Sequence, residues 1–415
     1  MKKAVMAVVL AVGFLLSLNS GFAQEPKPLA PGWLSLDSSV GVLDKQIEQG
    51  KGSIEKALGI AISGFVDASY TGSSNRPRAP RNISGRYFDK DHGKVVFNDF
   101  NLTLEKPEKD WGVGFKLVGD FGRTAELLRE ATLWGTRLQD EPSAELREAF
   151  ITFTIPIGAG LQVKGGKFVT LMGTEVIPAP GSPNPNISRS FAFNFAIPLT
   201  HTGVLFSYPV ASWLTLMGGP VTGWDNPRDN NSSPSFHGGL TFTPAELFSL
   251  TSSIMVGPEQ RHNISNQRFT WSNVATIKPT APLTLFIEYT LGHEENAPTP
   301  TGTDDSPWHA LAAIASYDWT DRFNTALRGE VFWDKEAART CGALAFSCAG
   351  FAGTSPLNSL TLGEITLTAA YKFTAKLLGR FELRQDWADE RVFQKRSSSA
   401  DKNQTTLALQ AIYTF

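Results

Sequence analysis

The sequence predicts an all-β protein, a transmembrane antiparallel up-and-down β-barrel of about 16 strands with long extracellular loops and short periplasmic turns. Three observations predict it. The chain opens on a short basic and apolar stretch, and no membrane helix follows. It closes on an alternating strand that ends in Phe415. Between these ends, strands of period two recur, separated in turn by tight turns and by long polar connections.

Met1 to Ala23 reads MKKAVMAVVLAVGFLLSLNSGFA. Lys2 and Lys3 form a positive region, an apolar stretch runs to about Leu18, and Gly21-Phe22-Ala23 places small residues before Gln24. Residues 1–23 are therefore expected to be a secretory signal peptide, cleaved after Ala23. A membrane anchor is the alternative, and the stretch is short for one. No later segment offers 18 uninterrupted apolar residues, so a chain that crosses a membrane here must cross as a barrel. Residues 24–58 read as a periplasmic leader or short helix. Leu43, Ile47, Ile54 and Leu58 have roughly helical spacing, while Gly50 and Gly52 weaken a helix, and a partial plug or a disordered leader fits as well. Residues 59–415 form the expected barrel.

Composition narrows the function classes. With 41% hydrophobic residues, 19% charged residues and a mean hydropathy of −0.13, the chain is too polar for a bundle of membrane helices. With 28 Phe, 10 Trp and 7 Tyr it is too aromatic for a disordered one. A net charge of −2 offers nothing to a polyanion, so no nucleic-acid partner is expected. Export from the cytoplasm would let Cys341 and Cys348 oxidise. They bracket CGALAFSC, where a local disulfide would constrain the loop by roughly 2–3 kcal/mol. Two thiols packed in a loop is the alternative, and neither reading makes them catalytic.

The strands are expected near 61–70, 93–105, 111–121, 145–155, 161–169, 199–208, 212–222, 235–243, 248–257, 267–278, 283–292, 308–317, 322–333, 361–373, 377–387 and 405–415. Seven tight turns join them, at Lys106 to Asp110, Ile155-Pro156, Tyr208-Pro209, Thr243-Pro244, Lys278-Pro279, Tyr317-Asp318-Trp319 and Tyr371-Lys372-Phe373, most of them flanked by aromatics. Eight longer connections lie near 71–92, 122–144, 170–198, 223–234, 258–266, 293–307, 334–360 and 388–404. In the last strand, Leu407, Leu409, Ala411, Tyr413 and Phe415 share one face, as in the closing strand of an outer-membrane barrel. Hydrocarbon cannot hydrogen-bond a strand edge, so the sheet must close. At about sixteen strands the lumen is too wide for wall side chains alone to fill, and it is expected to hold water.

A charge facing lipid costs roughly 2–4 kcal/mol at mid-membrane, so alternating charges must point inward. On this ground Glu288 opposes Leu283, Leu285, Ile287 and Tyr289, and Arg328 and Glu330 oppose Leu327, Val331 and Trp333. Glu364 opposes Ile365 and Leu367, and Arg380, Glu382, Arg384 and Asp386 oppose Phe381, Leu383 and Trp387. These are the candidate pore-lining charges. They form either a solvated wall in which they satisfy one another or a transverse field that orients passing solutes. The 170–198 connection mixes Pro and Gly with Glu175, Arg189 and the alternating Phe191, Phe193 and Phe195, which should be buried. It is expected to fold into the barrel and narrow it, with Glu175 and Arg189 at the constriction. A short extra strand with an external loop, and Arg189 in a structural ion pair, is the alternative. Gly223 to Asn231 is rich in Asp and Asn and reads as turn chemistry rather than a Ca²⁺ site.

The segments SGFVDASYTG, RYFDKDHGKVVFNDFNLTLEK, AFITFTIPIGAGLQVKGGKFVTLMGTEVI, NISRSFAFNFAIPLTHTGVLFSYPV, TGWDN and VGPEQ, between about Ser63 and Gln260, carry a resemblance. In them, and above all in the ordered series GKFVT, SRSFAFNFAIP and HTG, the chain resembles the OmpL-like β-barrel porin family of bacterial outer membranes. The resemblance implies a pore-type outer-membrane protein and brings no catalytic residues. The expected function is a water-filled channel for passive diffusion of small polar solutes or ions, in a Gram-negative outer membrane. An adhesin or receptor that binds ligand through its extracellular loops is the alternative. An enzyme is not expected, because the nearest Ser and His on one strand, His201 and Ser207, lie too far apart for a nucleophile and its base. No cofactor and no metal are expected. Expected partners are outer-membrane lipid and lipopolysaccharide, the barrel-assembly machinery acting on the Phe415 strand, small solutes and, left open, two further copies of the chain in a homotrimer.

Overall fold

The computed structural model describes residues 51–52, 55–56, 59–77, 82–108, 112–132, 143–178, 184–341, 357–396 and 399–415. The expected signal peptide, most of the leader and Cys348 lie outside them, while Cys341 ends a short helix, Ala338–Cys341.

Sixteen strands close into one barrel, each antiparallel to its sequence neighbours. They are β1 Ala61–Ser73, β2 Val95–Lys106, β3 Val113–Phe121, β4 Ala144–Ile155, β5 Leu161–Val169, β6 Thr200–Ala211, β7 Leu214–Val221 and β8 Ser235–Ala245. The remainder are β9 Phe248–Pro258, β10 Gln267–Thr280, β11 Leu283–Thr299, β12 Gly302–Asp318, β13 Phe323–Asp334, β14 Leu360–Lys372, β15 Leu377–Ala388 and β16 Asn403–Thr414. β16 closes onto β1 from Phe65↔Thr414 to Ser73↔Thr406. Phe415 extends that seam, since its N–H donates to Gly64 O at 3.0 Å and Gly64 N–H donates back at 3.1 Å. A Cβ at Gly64 would lie 2.5 Å from the Phe415 ring and 2.3 Å from Asn101 O, so only glycine leaves room for the terminal aromatic.

Each sequence-expected strand is present, with ends shifted by a few residues. Three shifts share one cause. Pro209, Pro244 and Pro279 sit in the last residues of β6, β8 and β10, and the ladder changes register there, at Pro209/Ala211, Phe242/Ala245 and Ile277/Thr280. Proline has no N–H to give the ladder, so it bulges the strand instead of ending it.

One connection is corrected. The 293–307 segment is not a loop: β11 and β12 stay paired from Glu294↔Ser306 out to Thr299↔Gly302. The stretch contains Pro298, Pro300 and Pro307. This outer stretch is a two-stranded ribbon, because β10 pairs with β11 only as far as Glu294 and β12 pairs with β13 only from Trp308. With one edge of each strand open, a missing N–H need not break a ladder bond. Other long connections carry structure of their own, among them an α-helix α1 at Arg123–Thr132 and a small hairpin of Phe393–Gln394 with Ala400–Asp401.

The two faces are sharply different. Outward lie Trp213, Trp319 and Phe373 near the tight turns, and Trp271, Trp333 and Trp387 near the long connections, each 38–56% exposed. Two belts of exposed aromatics separated by aliphatic side chains suit a bilayer with an interface at each end. Inward-facing Glu288, Arg328, Glu330, Glu364, Glu382, Arg384 and Asp386 are all buried. The wall side chains alone do not bury them. At the long-connection end, segments enter the lumen and form an apolar cluster of Tyr87, Leu127, Phe191, Phe195, Trp224 and Trp308 with their neighbours. The water-filled lumen expected from strand count is therefore partly occupied by chain.

Candidate functional site

Val169 at the end of β5 pairs with Thr200 at the start of β6, and Thr170 N donates to Leu199 O at 3.1 Å. The segment between them thus leaves and re-enters the wall at one point. It turns inward. Gly173 takes a left-handed conformation (φ 82°), and a Cβ there would stand 2.4 Å from Ile197. Met172, Ile177, Phe191, Phe193, Phe195 and Ile197 are each at most 3% exposed. Transfer of so much apolar surface out of water favours the inserted position. The three phenylalanines do not lie on an extra strand. Ala192–Ala196 forms a π-helical turn, and Phe191 stacks on Phe195 at 6.2 Å.

A loop buried in a barrel needs partners for its peptide groups. The wall provides them from the charges that the sequence singled out. Glu288 Oε2 accepts from Thr174 N at 2.8 Å. Glu382 accepts from Ile187 N at 2.6 Å and Ser188 N at 3.0 Å. Glu330 accepts from Phe191 N at 2.6 Å and also from Ala192 N. Arg384 donates to Arg189 O at 2.6 Å, and Arg328 donates to Ser188 O at 2.7 Å.

Arg328 is the centre of this arrangement. Its guanidinium lies 2.7 Å from Glu364 on β14 and 2.7 Å from Glu175 on the inserted segment. Arg384 pairs with Asp386 at 2.6 Å, and Arg86, from the connection between β1 and β2, reaches the same Asp386 at 2.8 Å. Low exposure strengthens each attraction and raises the penalty for any member left alone.

The structure thus gathers Glu175, Arg328, Glu364, Arg384 and Asp386 into one ion-pair network. It uses Glu288, Glu330 and Glu382 as acceptors for backbone N–H groups. Glu175 and Arg189, both expected at the constriction, take different partners. Glu175 turns to Arg328, and its other oxygen accepts from Ser190 N at 2.7 Å. Arg189 makes no ion pair among the described residues; it donates to Val176 O (3.1 Å), Asn186 O (3.4 Å) and Ile187 O (3.0 Å). Arg380 donates to that same Asn186 O at 3.2 Å.

Five further anchors were not read from the sequence. Trp308 Nε1 donates to Ala196 O at 3.1 Å, and Arg339 Nε donates to Phe195 O at 2.8 Å. Arg339 lies against Trp224 and Trp308, 4.5 and 5.1 Å from the ring centres, and burial with Arg268 nearby pulls its pKa down to about 10. At the hinge, His201 bonds Thr170 Oγ1 at 3.1 Å, and His237 Nε2 accepts from Leu171 N at 3.2 Å. Asp225 Oδ1 accepts from Leu199 N (2.7 Å) and Thr200 N (2.9 Å), where the segment rejoins the wall. No local pattern marks these residues; β6, β8, β12 and the loops must be folded before they meet.

Asp225 lies outside the strands, and burial pushes its carboxyl up to about 6, against the two N–H groups that favour the charged form. A carboxyl raised in the folded state takes up a proton on folding. Stability must then be highest in acid and fall as pH rises from about 4 to 6. We expect the wild type to lose up to about 3 kcal/mol of local stability across that window, at 1.36 kcal/mol per pKa unit. Asp225→Asn keeps an acceptor oxygen and removes the titration. Hydrogen exchange at Leu199 and Thr200 should depend on pH in the wild type after correction for intrinsic exchange, and be flat in Asp225→Asn; equal profiles would refute this.

With this geometry in place, comparisons with known proteins acquire meaning. The model of the family described as putative beta-barrel porin-2, OmpL-like, matches residues 59–415, beyond the half of the chain on which the sequence resemblance rested. A search of curated proteins finds no match. Among solved structures, the anion-selective porin from Comamonas acidovorans is 11% identical with a TM-score of 0.59, covering 86% of this chain and 99% of that one. The outer-membrane channel DcaP of Acinetobacter baumannii is 13% identical with a TM-score of 0.56, covering 86% and 97%. OmpT of Vibrio cholerae in its trimer form is 10% identical with a TM-score of 0.53, covering 86% and 99%. At such identities these structures share the fold.

Proposed function

We propose that this chain, which belongs to the OmpL-like β-barrel porin-2 family and is an outer-membrane porin, passes small polar solutes or ions by passive diffusion through a lumen narrowed by the segment between β5 and β6. One observation carries this reading. A closed barrel of sixteen strands is wider than its wall side chains can fill, and an internal segment, tied to the wall at many points, takes up part of the space. A tightly held segment sets a size limit that does not drift with thermal motion of an external loop. The family and the fold are those of a channel rather than of an enzyme.

The charged wall enters this reading as a scaffold for the narrowing segment. Ten charges were expected to line the bore, and all but Arg380 are buried. Solute selection then falls to groups that remain open to the lumen. To the same proposal belong cleavage after Ala23, contact with lipopolysaccharide, delivery by the barrel-assembly machinery through the Phe415 strand, and a homotrimer. OmpT of Vibrio cholerae has a trimer form on the same fold, and the mass of the native detergent complex would test that state here.

The direct test is reconstitution of the purified protein in a planar bilayer. Stepwise single-channel currents are the expected result. A folded barrel that gives neither currents nor liposome swelling would end the diffusion reading.

A further inference from the structure

We infer that the tight-turn mouth of the lumen holds a binding site for a small oxyanion, a carboxylate or phosphate, formed by Arg189 and Arg380. The inference deepens the diffusion reading and rests on it, since it names the solute class that this mouth would favour.

The arginines of the lumen are unequally paired. Arg86, Arg328 and Arg384 each have a carboxylate oxygen within 2.8 Å. Arg189 and Arg380 have none within 4.0 Å among the described residues; what they share is Asn186 O, at 3.4 and 3.2 Å. Two guanidinium groups on one carbonyl oxygen are two cations held side by side. Asp67, the carboxylate that lines the cavity with them, is hydrogen-bonded elsewhere: its oxygens accept from Asn98 Nδ2 at 3.1 Å and Gln410 Nε2 at 2.8 and 3.0 Å. An anion from solution would give both guanidinium groups a direct partner.

There is room for one. A cavity of about 170 Å³ opens between β1, β15, β16 and the inserted segment, and Arg189, Arg380, Asp67 and Gln410 line it. Lys372 and Lys376, on either side of the β14–β15 turn, also line it. Strand ends Phe65 and Thr414 place it at the tight-turn mouth, below the inserted segment. A solute crossing the barrel meets it before or after the narrowing. A guanidinium presents N–H groups in a plane that fits two oxygens of a carboxylate or phosphate with two parallel bonds, a match that chloride, a single spherical acceptor, does not offer.

The test uses the full-length protein in planar bilayers with a KCl gradient. Wild-type channels should show a reversal potential of the sign for anion preference, and succinate or phosphate added to the tight-turn side should reduce the chloride current. Acetate, succinate and phosphate in separate arms distinguish carboxylate from phosphate as the preferred group. Arg380→Gln should raise the half-blocking concentration by about tenfold, the loss of one charge-assisted pair. Arg189 is left intact, because it also holds three loop carbonyls. Arg380→Lys keeps the charge without the fork, and should retain anion preference while weakening block. Heat-modifiable migration on gels confirms that each variant is folded. Cation preference in the wild type, or the same half-blocking concentration in wild type, Arg380→Gln and Arg380→Lys, would overturn the site. A wild type with no conductance would instead overturn the diffusion reading.

Discussion

Replacing Arg328 by alanine is expected to destabilise the folded barrel by about 3–5 kcal/mol, the range for breaking a buried ion pair by removal of one partner. The guanidinium is fully buried and touches Glu364, Glu175 and Ser188 at once. Its loss leaves two carboxylates out of water with one fewer cation, and strands the Ser188 carbonyl. Arg328→Lys should fall between, because an ammonium cannot serve a wall carboxylate and a loop carboxylate in one plane. Denaturant titration of the barrel in detergent micelles, followed by tryptophan fluorescence, reads this directly. A change below about 1 kcal/mol would show that the network is solvated like a surface pair, contrary to the burial seen here. The same variant frees the inserted segment at its midpoint. Channel noise should therefore rise even in molecules that remain folded.

The barrel was legible before folding because membrane strands repeat a single rule. Leu327 and Arg328, or Leu383 and Arg384, cannot exchange faces without putting a charge in hydrocarbon, so alternation alone assigns inside and outside. Tight turns were readable for the same reason, apart from the proline bulges at Pro209, Pro244 and Pro279, where a residue type that usually ends a strand only bends it. The β11–β12 ribbon was expected as a long connection; it holds Pro298 and Pro307, which a sheet interior would not admit but an open edge does. The site was readable as a set of residues and not as a set of contacts. Glu288, Glu330 and Glu382 announce an inward face, but nothing local says that their partners are the N–H groups of residues 174, 187, 188, 191 and 192, more than a hundred positions away. Glu175 shows the same limit: nothing near it in the sequence names its partner, and the cation it meets arrives from β13 across the lumen.

The charges that bind the segment should become harmless once the segment is gone. Thr170 and Leu199 are already hydrogen-bonded, so residues 171–198 can be replaced by a two-residue Gly-Gly link without moving β5 or β6. The expected result is a folded barrel whose single-channel conductance is several-fold higher than that of the wild type. No increase would show that the segment does not limit flow. The more searching measurement repeats Arg328→Ala in this shortened barrel. In the intact protein Arg328 is 0% exposed and its removal leaves Glu175 and Glu364 stranded. In the shortened one Glu175 is absent and water reaches Glu364, so the same substitution should cost less than about 1 kcal/mol, as for exposed pairs. The difference between the two backgrounds is the coupling between Arg328 and the inserted segment. A coupling of several kcal/mol identifies the wall charges as the clamp on the narrowing segment. Equal costs in both backgrounds would mean that Arg328 supports the wall alone, and that the segment is held by its phenylalanines.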